Sequence, residues 1–414
     1  MVQREITAAP IVIGPTERPN LHGLPHHLRY FAPIAARLEW GSLTILLPDG
    51  QVVHVRGRVP GKHAEVQIKS YRCLWRLMRA ANIGWAEGYL ADEWDSPDVA
   101  ALLEVFARNA DRMRDLYEGK SWAKLVDRVL HVFNRNTRAG ARRNIMAHYD
   151  LGNDFYQRWL DPSMTYSSAK FEKPGDDLSA AQRNKYLSLA RRIELKPEHS
   201  LLEIGCGWGG FAEFAAKEIG CRITGITISP EQFDFARQRL FKQGLADKTD
   251  IRLEDYRDTQ GTFDRVASIE MFEAVGEDYW PAYFNKIRDR LAPLGQAGLQ
   301  IITIDDRYFG TYRSSVDFIQ KYVFPGGMLP SMRVLRDQVA RAGLSWQDET
   351  TFGLDYAQTL ANWRGRFLGA WEDIRTLGFD ERFKRLWNYY LSYCEAGFRA
   401  GSIDVTQIAI TKSA

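Results

Sequence analysis

Cysteine is scarce in this chain, with four in 414 residues, and Cys73, Cys206, Cys221 and Cys394 form neither a C-x-x-C pair nor a metal-ligand spacing with the eight histidines. A reducing cytoplasm and no structural metal are the expectation. Long apolar runs are missing too. Nothing reaches the roughly 18 apolar residues of a spanning helix, and residues 1–20 lack a cationic segment leading into an apolar core. Any membrane contact is therefore expected to be peripheral. A large excess of one charge is also absent, and a net charge of +3 gives no global reason to expect a nucleic acid partner. The 414 residues exceed a usual single core, so two domains are expected.

What is present is a glycine-dense junction. Ser200-Leu201-Leu202-Glu203-Ile204 reads as a buried strand, Gly205-Cys206-Gly207-Trp208-Gly209-Gly210 breaks it, and residues 211–217 resume with helical apolar spacing. Glycine lets a backbone turn tightly and lie against a ligand, so this is the first strand-to-helix turn of a doubly wound nucleotide fold. Gly205, Gly207 and Gly210 also satisfy G-x-G-x-x-G, which by itself does not separate a nicotinamide site from an S-adenosylmethionine site. The acids separate them. A dinucleotide site wants an acid about twenty residues on, at the end of the second strand, and residues 222–228 end without one. Glu203 instead stands two positions before the first glycine, where it reaches the ammonium of a bound amino acid.

The rest of the chain arranges itself around that turn. Residues 1–25, rich in Pro and Gly, read as a loosely ordered arm. Residues 42–47 and 52–55 read as a hairpin closed by Pro48-Asp49-Gly50, with a third strand at 64–68 and helices at 74–81 and 99–109, a small α+β domain over 1–120. Residues 121–147 interleave Lys124, Arg128, Arg135, Arg138, Arg142 and Arg143 with Trp122, Leu125, Val126, Val129, Leu130 and Phe133. That is either a basic amphipathic linker lying on an anionic membrane surface or an ordinary interdomain helix with a solvated face. From His148 to the C-terminus, strands expected at 201–204, 222–228, 250–254, 263–269 and 299–304 alternate with helices, the pattern of a mostly parallel sheet. Residues 306–391, ahead of a final strand at 405–411, are too long for a connection and are expected to form a helical cap over the ligand end of the sheet.

Eight segments carry a family likeness: His148 to Tyr156, Leu160 to Ala169, Glu203 to Gly210, Gly225 to Gln232, Asp255 to Asp258, Met271-Phe272-Glu273, Phe324 to Pro330 and Phe352 to Tyr356. Over nearly the whole chain the sequence resembles the cyclopropane-fatty-acyl-phospholipid synthases and the related mycolic acid cyclopropane synthases. The resemblance implies an α/β, Rossmann-like class I methyltransferase domain with a helical cap, over 148–414, preceded by a small α+β lipid-binding domain. It implies a homodimer in the cytoplasm, peripheral to the inner face of the cell membrane, acting on unsaturated phospholipid acyl chains with S-adenosylmethionine. Tyr166, Ser167, the turn of Gly205, Gly207 and Gly209, Thr227, Gln232, Asp255 and Tyr256 would hold that cofactor, beside Glu203. Helix N-terminal amides suit its carboxylate, Gln232 its ribose hydroxyls and Asp255 its adenine amino group.

Attack by a cis double bond on a sulfonium methyl leaves a carbocation on the acyl chain, which an apolar tunnel tolerates only beside π faces or carboxylates. Tyr166, Phe272, Tyr322 and Tyr356 are the aromatic candidates, Phe272 and Tyr322 against the substrate, and Glu273 is the anion. Loss of a proton from the new methyl closes a cyclopropane ring; loss from a neighbouring carbon gives a methyl-branched or methylene chain. The resemblance implies bicarbonate as the base, held by a cysteine, a glutamate and histidines beside a tyrosine. Glu273 and Tyr356 match, but Ser168, Ala274 and Ile302 stand in place of the cysteine and histidines. Ser168 still offers a donor, while the side chains of Ala274 and Ile302 offer none. Glu273, its pKa raised by burial, is the alternative base. Cyclopropane formation is the expected outcome; methyl-branched or methylene products, or a non-catalytic lipid carrier, are the alternatives.

Overall fold

The computed structural model describes residues 10–14, 25, 28–29, 31–114 and 151–413. The basic segment 121–147 lies outside the described residues. Two compact units emerge, one taking Met1–Asp127 with Phe379–Ala400, the other Arg128–Gly378 with Gly401–Ala414.

The first unit is built on a five-stranded sheet of β1 (Ile11–Ile13), β2 (Trp40–Leu46), β3 (Val52–Arg56), β4 (Val59–Ile68) and β5 (Trp94–Asp95), in the order β1-β3-β2-β4-β5. The β2–β3 hairpin forms where Asp49-Gly50 allows it. Asp49 Oδ1 accepts from the Gln51 N–H at 3.1 Å, and Gly50 takes φ +86°. β1, absent from the sequence reading, is three residues pairing in parallel with β3, too short to show alternation. The helix Val99–Arg108 starts where Asp98 accepts from the Ala101 N–H at 3.1 Å, and it buries Ala100, Leu102, Leu103 and Val105.

One expectation is corrected here. The helix Glu381–Ala400 overlaps the segment read as a cap over the ligand end, yet it packs within the first unit. Its Arg385 donates to the carbonyls of Tyr89 and Trp94 at 2.5 and 2.8 Å, and its Tyr389 meets Tyr89 at 5.6 Å between ring centroids. The aromatic layer of Trp85, Tyr89 and Trp94 is what that face of the helix fits.

The second unit carries seven strands: β6 (Ser200–Ile204), β7 (Arg222–Thr227), β8 (Thr249–Leu253), β9 (Phe263–Ile269), β10 (Leu291–Ile304), β11 (Leu344–Thr351) and β12 (Ile403–Lys412). Their order is β11-β12-β10-β9-β6-β7-β8, parallel from β10 to β8, with β12 antiparallel to both β10 and β11. The segment read as purely helical therefore also supplies an edge strand, β11, whose sequence Leu-Ser-Trp-Gln-Asp-Glu-Thr-Thr is polar because only one edge of it is paired. Apolar layers cover both sheet faces, Val266, Phe284, Leu299 and Ile301 on one and Leu189, Leu201, Phe211 and Ile223 on the other. Strand order reverses between β6 and β9, and in doubly wound sheets the ligand crevice opens at the carboxyl ends of such a pair. No helix among the described residues is long and apolar enough to cross a membrane.

Leu102 is fully buried in the first unit. Truncating it, Leu102→Ala, is expected to destabilise that unit by about 3 kcal/mol, read as a lower urea midpoint followed by tryptophan fluorescence.

Candidate active site

The crevice is built from two strand ends. β6 runs straight into the glycine turn: its last residue, Ile204, pairs with Ser268 of β9, one residue from that strand's end. Gly205 takes φ +81°, and a Cβ there would stand 2.8 Å from the Met271 Cγ, so the turn closes against the segment following β9. Gly207 takes φ +53° and faces open space, with nothing within 4 Å of where a Cβ would be. That is a cradle with a bare backbone floor.

Glu203, on the last turn of β6, is 3% exposed, and its Oε2 is buried with no hydrogen-bond partner. Burial pushes its pKa up to about 8, against the pull of Lys185. Lys185, on the helix Leu178–Arg192, is also fully buried; burial brings it down to about 7, and it donates to Ser167 Oγ at 2.7 Å. Across the cradle, the Thr227 hydroxyl donates to Gln232 Oε1 at 2.9 Å at the start of the helix Pro230–Lys242. An orphaned buried carboxylate oxygen, a floor of bare backbone and a pre-oriented amide fit the ammonium, carboxylate and ribose of S-adenosylmethionine. Asp255 and Tyr256 follow β8. Arg257 holds both Asp255 oxygens, Oδ1 at 2.9 Å and Oδ2 at 2.6 Å, so adenine would share an acceptor already charge-paired. Tyr156, Trp159 and Trp363 surround the ring of Tyr166 with centroids at 5.4, 5.6 and 5.3 Å.

At the end of β9 stands a residue that the sequence reading passed over. Glu270 Oε1 accepts from the Ser168 N–H at 2.9 Å and from Gln300 Nε2 at 2.7 Å, and Oε2 accepts from the Tyr356 hydroxyl at 2.6 Å. Its φ is +49°, a left-handed conformation that costs an L-residue roughly 1–2 kcal/mol. Burial raises its pKa, opposed first by the Tyr356 hydrogen bond and then by Lys185. Its accessible surface is intermediate. The available signal was an acid directly after the apolar run 263–269 and three residues before Glu273.

Ser168 and Tyr356 thus meet on Glu270 and not on Glu273. Ser168 contributes its backbone N–H; its hydroxyl donates to the Ala169 carbonyl at 2.9 Å, correcting the expectation that the hydroxyl serves an anion. Glu273 Oε1 accepts from the Ile302 N–H at 2.5 Å while Oε2 is buried and unpartnered, and burial together with the neighbouring Glu270 raises its pKa to about 8. Ile302 therefore donates through its backbone what its side chain lacks. Phe272, expected against the substrate, is instead enclosed by Trp280, Tyr283 and Phe284 at 5.4, 5.0 and 5.3 Å, a core role. Tyr322 sits on the short helix Phe318–Tyr322 against Phe318. No group of three or more potential metal ligands occurs among the described residues.

Bicarbonate does not fit this arrangement. The Ser168 N–H, Gln300 amide and Tyr356 hydroxyl are committed to Glu270, and a second anion there would face that carboxylate.

A seven-stranded sheet of this order with a glycine turn after its first strand is the architecture of the class I S-adenosylmethionine-dependent methyltransferases. Residues 136–408 match the family described as mycolic acid cyclopropane synthetase, and the chain belongs to that family. It is 39% identical over 343 residues to a tuberculostearic acid methyltransferase of Mycobacterium tuberculosis, covering 80% of this chain and 79% of that one. It is 34% identical over 389 residues to the cyclopropane-fatty-acyl-phospholipid synthase of Escherichia coli, covering 90% and 94%. A mycolic acid cyclopropane synthase solved with S-adenosylhomocysteine matches with a TM-score of 0.62 at 29% identity, over 66% of this chain and 98% of that one.

Two outcomes are expected of the buried acids. An ammonium bound at Glu203 requires the carboxylate, so below about pH 8 binding must expel a proton. Calorimetric affinity for S-adenosylhomocysteine should fall as pH drops from 8 to 6, and Glu203→Gln should lose about tenfold in affinity and most of that pH dependence. For Glu273, a folded pKa of about 8 against an ordinary 4.5 means that its contribution to stability is intact below 4.5 and lost as pH climbs through 8. Glu273→Gln, which keeps an acceptor for the Ile302 N–H, should therefore gain melting temperature over the parent progressively between pH 5 and 8.

Proposed function

We propose that this methyltransferase transfers a methyl group to the cis double bond of unsaturated phospholipid acyl chains, with cyclopropane fatty acyl chains as the product. The observation that carries the reading is the adjacency of β6 and β9. The cofactor cradle and two buried carboxylates, Glu270 and Glu273, hang from neighbouring strand ends, about 4.8 Å apart in the sheet. Bound in the cradle, S-adenosylmethionine supplies an electrophilic methyl. The chain's own residues do the rest. Glu203 anchors the amino-acid end, Gln232 and Asp255 take the nucleoside, and Tyr166 and Tyr356 present π faces to a cationic acyl chain. Glu270 provides negative charge and proton acceptance beside it, with Glu273 next to it.

A second reading, C-methylation to a methyl-branched or methylene chain, is favoured by Ala274 and Ile302 and by the tuberculostearic acid methyltransferase among the relatives. Supply of the substrate from the inner face of the cell membrane, with a lipid-binding N-terminal domain and a homodimer, is what the family resemblance supports.

Incubation with methyl-labelled S-adenosylmethionine and vesicles of cis-unsaturated phospholipid is expected to yield labelled chains one CH2 heavier, with the upfield proton resonances of a cyclopropane ring. Labelled chains without those resonances would reject ring closure and leave the branched or methylene product.

A further inference from the structure

We propose that Glu270 is the chain's own proton acceptor, a resident carboxylate standing where a captured anion would otherwise have to bind. The inference rests on the methyl-transfer reading above and names the base within that site.

Three observations converge on it. First, the donors around Glu270 form an anion-binding set: a backbone N–H at 2.9 Å, an amide at 2.7 Å and a phenol at 2.6 Å, contributed by the segment before β6, by β10 and by the cap. Donors drawn from three distant parts of one unit stabilise negative charge at one place. Gln300 is itself fixed by Gln407, whose Nε2 donates to Gln300 Oε1 at 3.0 Å, so the amide nitrogen is turned toward Glu270. Second, the backbone at Glu270 is held at φ +49°, a conformation that favours glycine, and a glutamate there is maintained against a local cost. Third, the next residue, Met271, lies against Gly205 of the cofactor turn, so the carboxylate stands beside the place where the methyl is delivered.

The alkene π pair forms the new C–C bond as the S–CH3 bond breaks, the sulfonium becomes a thioether, and the second alkene carbon is left cationic. Glu270 takes a proton either from the new methyl, whose C–H pair closes the ring, or from an adjacent carbon, whose C–H pair forms a double bond. The protonated Glu270 returns to the carboxylate by releasing that proton to water as product leaves. Glu273, with one oxygen on the Ile302 N–H and the other unpartnered, is the neutral neighbour that lets Glu270 keep the charge.

The test uses the full chain, methyl-labelled S-adenosylmethionine and vesicles of cis-unsaturated phosphatidylglycerol. The parent is expected to turn over equally in buffer stripped of carbon dioxide and in buffer with added bicarbonate. Glu270→Gln keeps an acceptor for the surrounding donors and cannot take a proton, so kcat should drop by about 100-fold or more, with KM and S-adenosylhomocysteine affinity within a few fold of the parent. Glu270→Gly suits the positive φ and should fold; its lost activity should recover saturably with formate or bicarbonate. A parent that requires bicarbonate, a Glu270→Gln variant at the parental rate, or a Glu270→Gly variant that neither anion rescues would each overturn the assignment while leaving methyl transfer intact. A parent that binds S-adenosylhomocysteine but labels no lipid would overturn the functional reading and this inference with it.

Discussion

Charge held away from water is the constraint on which the catalytic unit depends. Lys185, Glu203, Glu270 and Glu273 all stand at the carboxyl edge of one sheet, and burial shifts every one of them toward its neutral form. Such groups persist only where the surrounding fold is stable enough to carry the desolvation cost. Here the apolar layers on both faces of the sheet supply that stability. The four groups are not equivalent. Glu270 is given donors on both oxygens, whereas Glu203 and Glu273 each keep an oxygen with no partner. The first is fully hydrogen-bonded within the unit; the other two are bonded less completely.

Topology turns that chemistry into a site. Because the strand order reverses between β6 and β9, the chain leaves their ends in opposite directions and opens a gap in which a ligand can lie. The cofactor turn occupies one lip and the Glu270 to Glu273 segment the other. The helix Gly353–Gly369 reaches the second lip, where its Tyr356 donates to Glu270.

The departures from the family pattern are chemically coherent when taken together. Serine and two apolar residues replace the cysteine and histidines expected around a captured anion, and the donors that remain, two of them backbone N–H groups, serve carboxylates of the chain itself. Losing side-chain donors at Ala274 and Ile302 would leave a mobile anion poorly held. A covalently attached carboxylate pays no entropy of capture, so fewer donors suffice to keep it in place.

Much of this was legible in the sequence because it is local. The glycine turn, the alternation of strands and helices and the Asp-Gly hairpin are written in residues close together along the chain, where backbone freedom and apolar period act directly. β11 escaped notice because an edge strand paired on one side carries no apolar alternation, and the helix Glu381–Ala400 was misassigned because its amphipathic face does not say which surface it will cover. Glu270 was invisible for the same reason. As an acid after a strand it looks like any solvated residue, and only the fold brings Ser168, Gln300 and Tyr356, 102, 30 and 86 residues away along the chain, onto its two oxygens. The sequence by itself determined the class of fold and the glycine turn at its centre, since those follow from short-range sterics. Which carboxylate holds the charge was decided by tertiary structure alone, because a pKa is set by neighbours in space and not by neighbours in sequence.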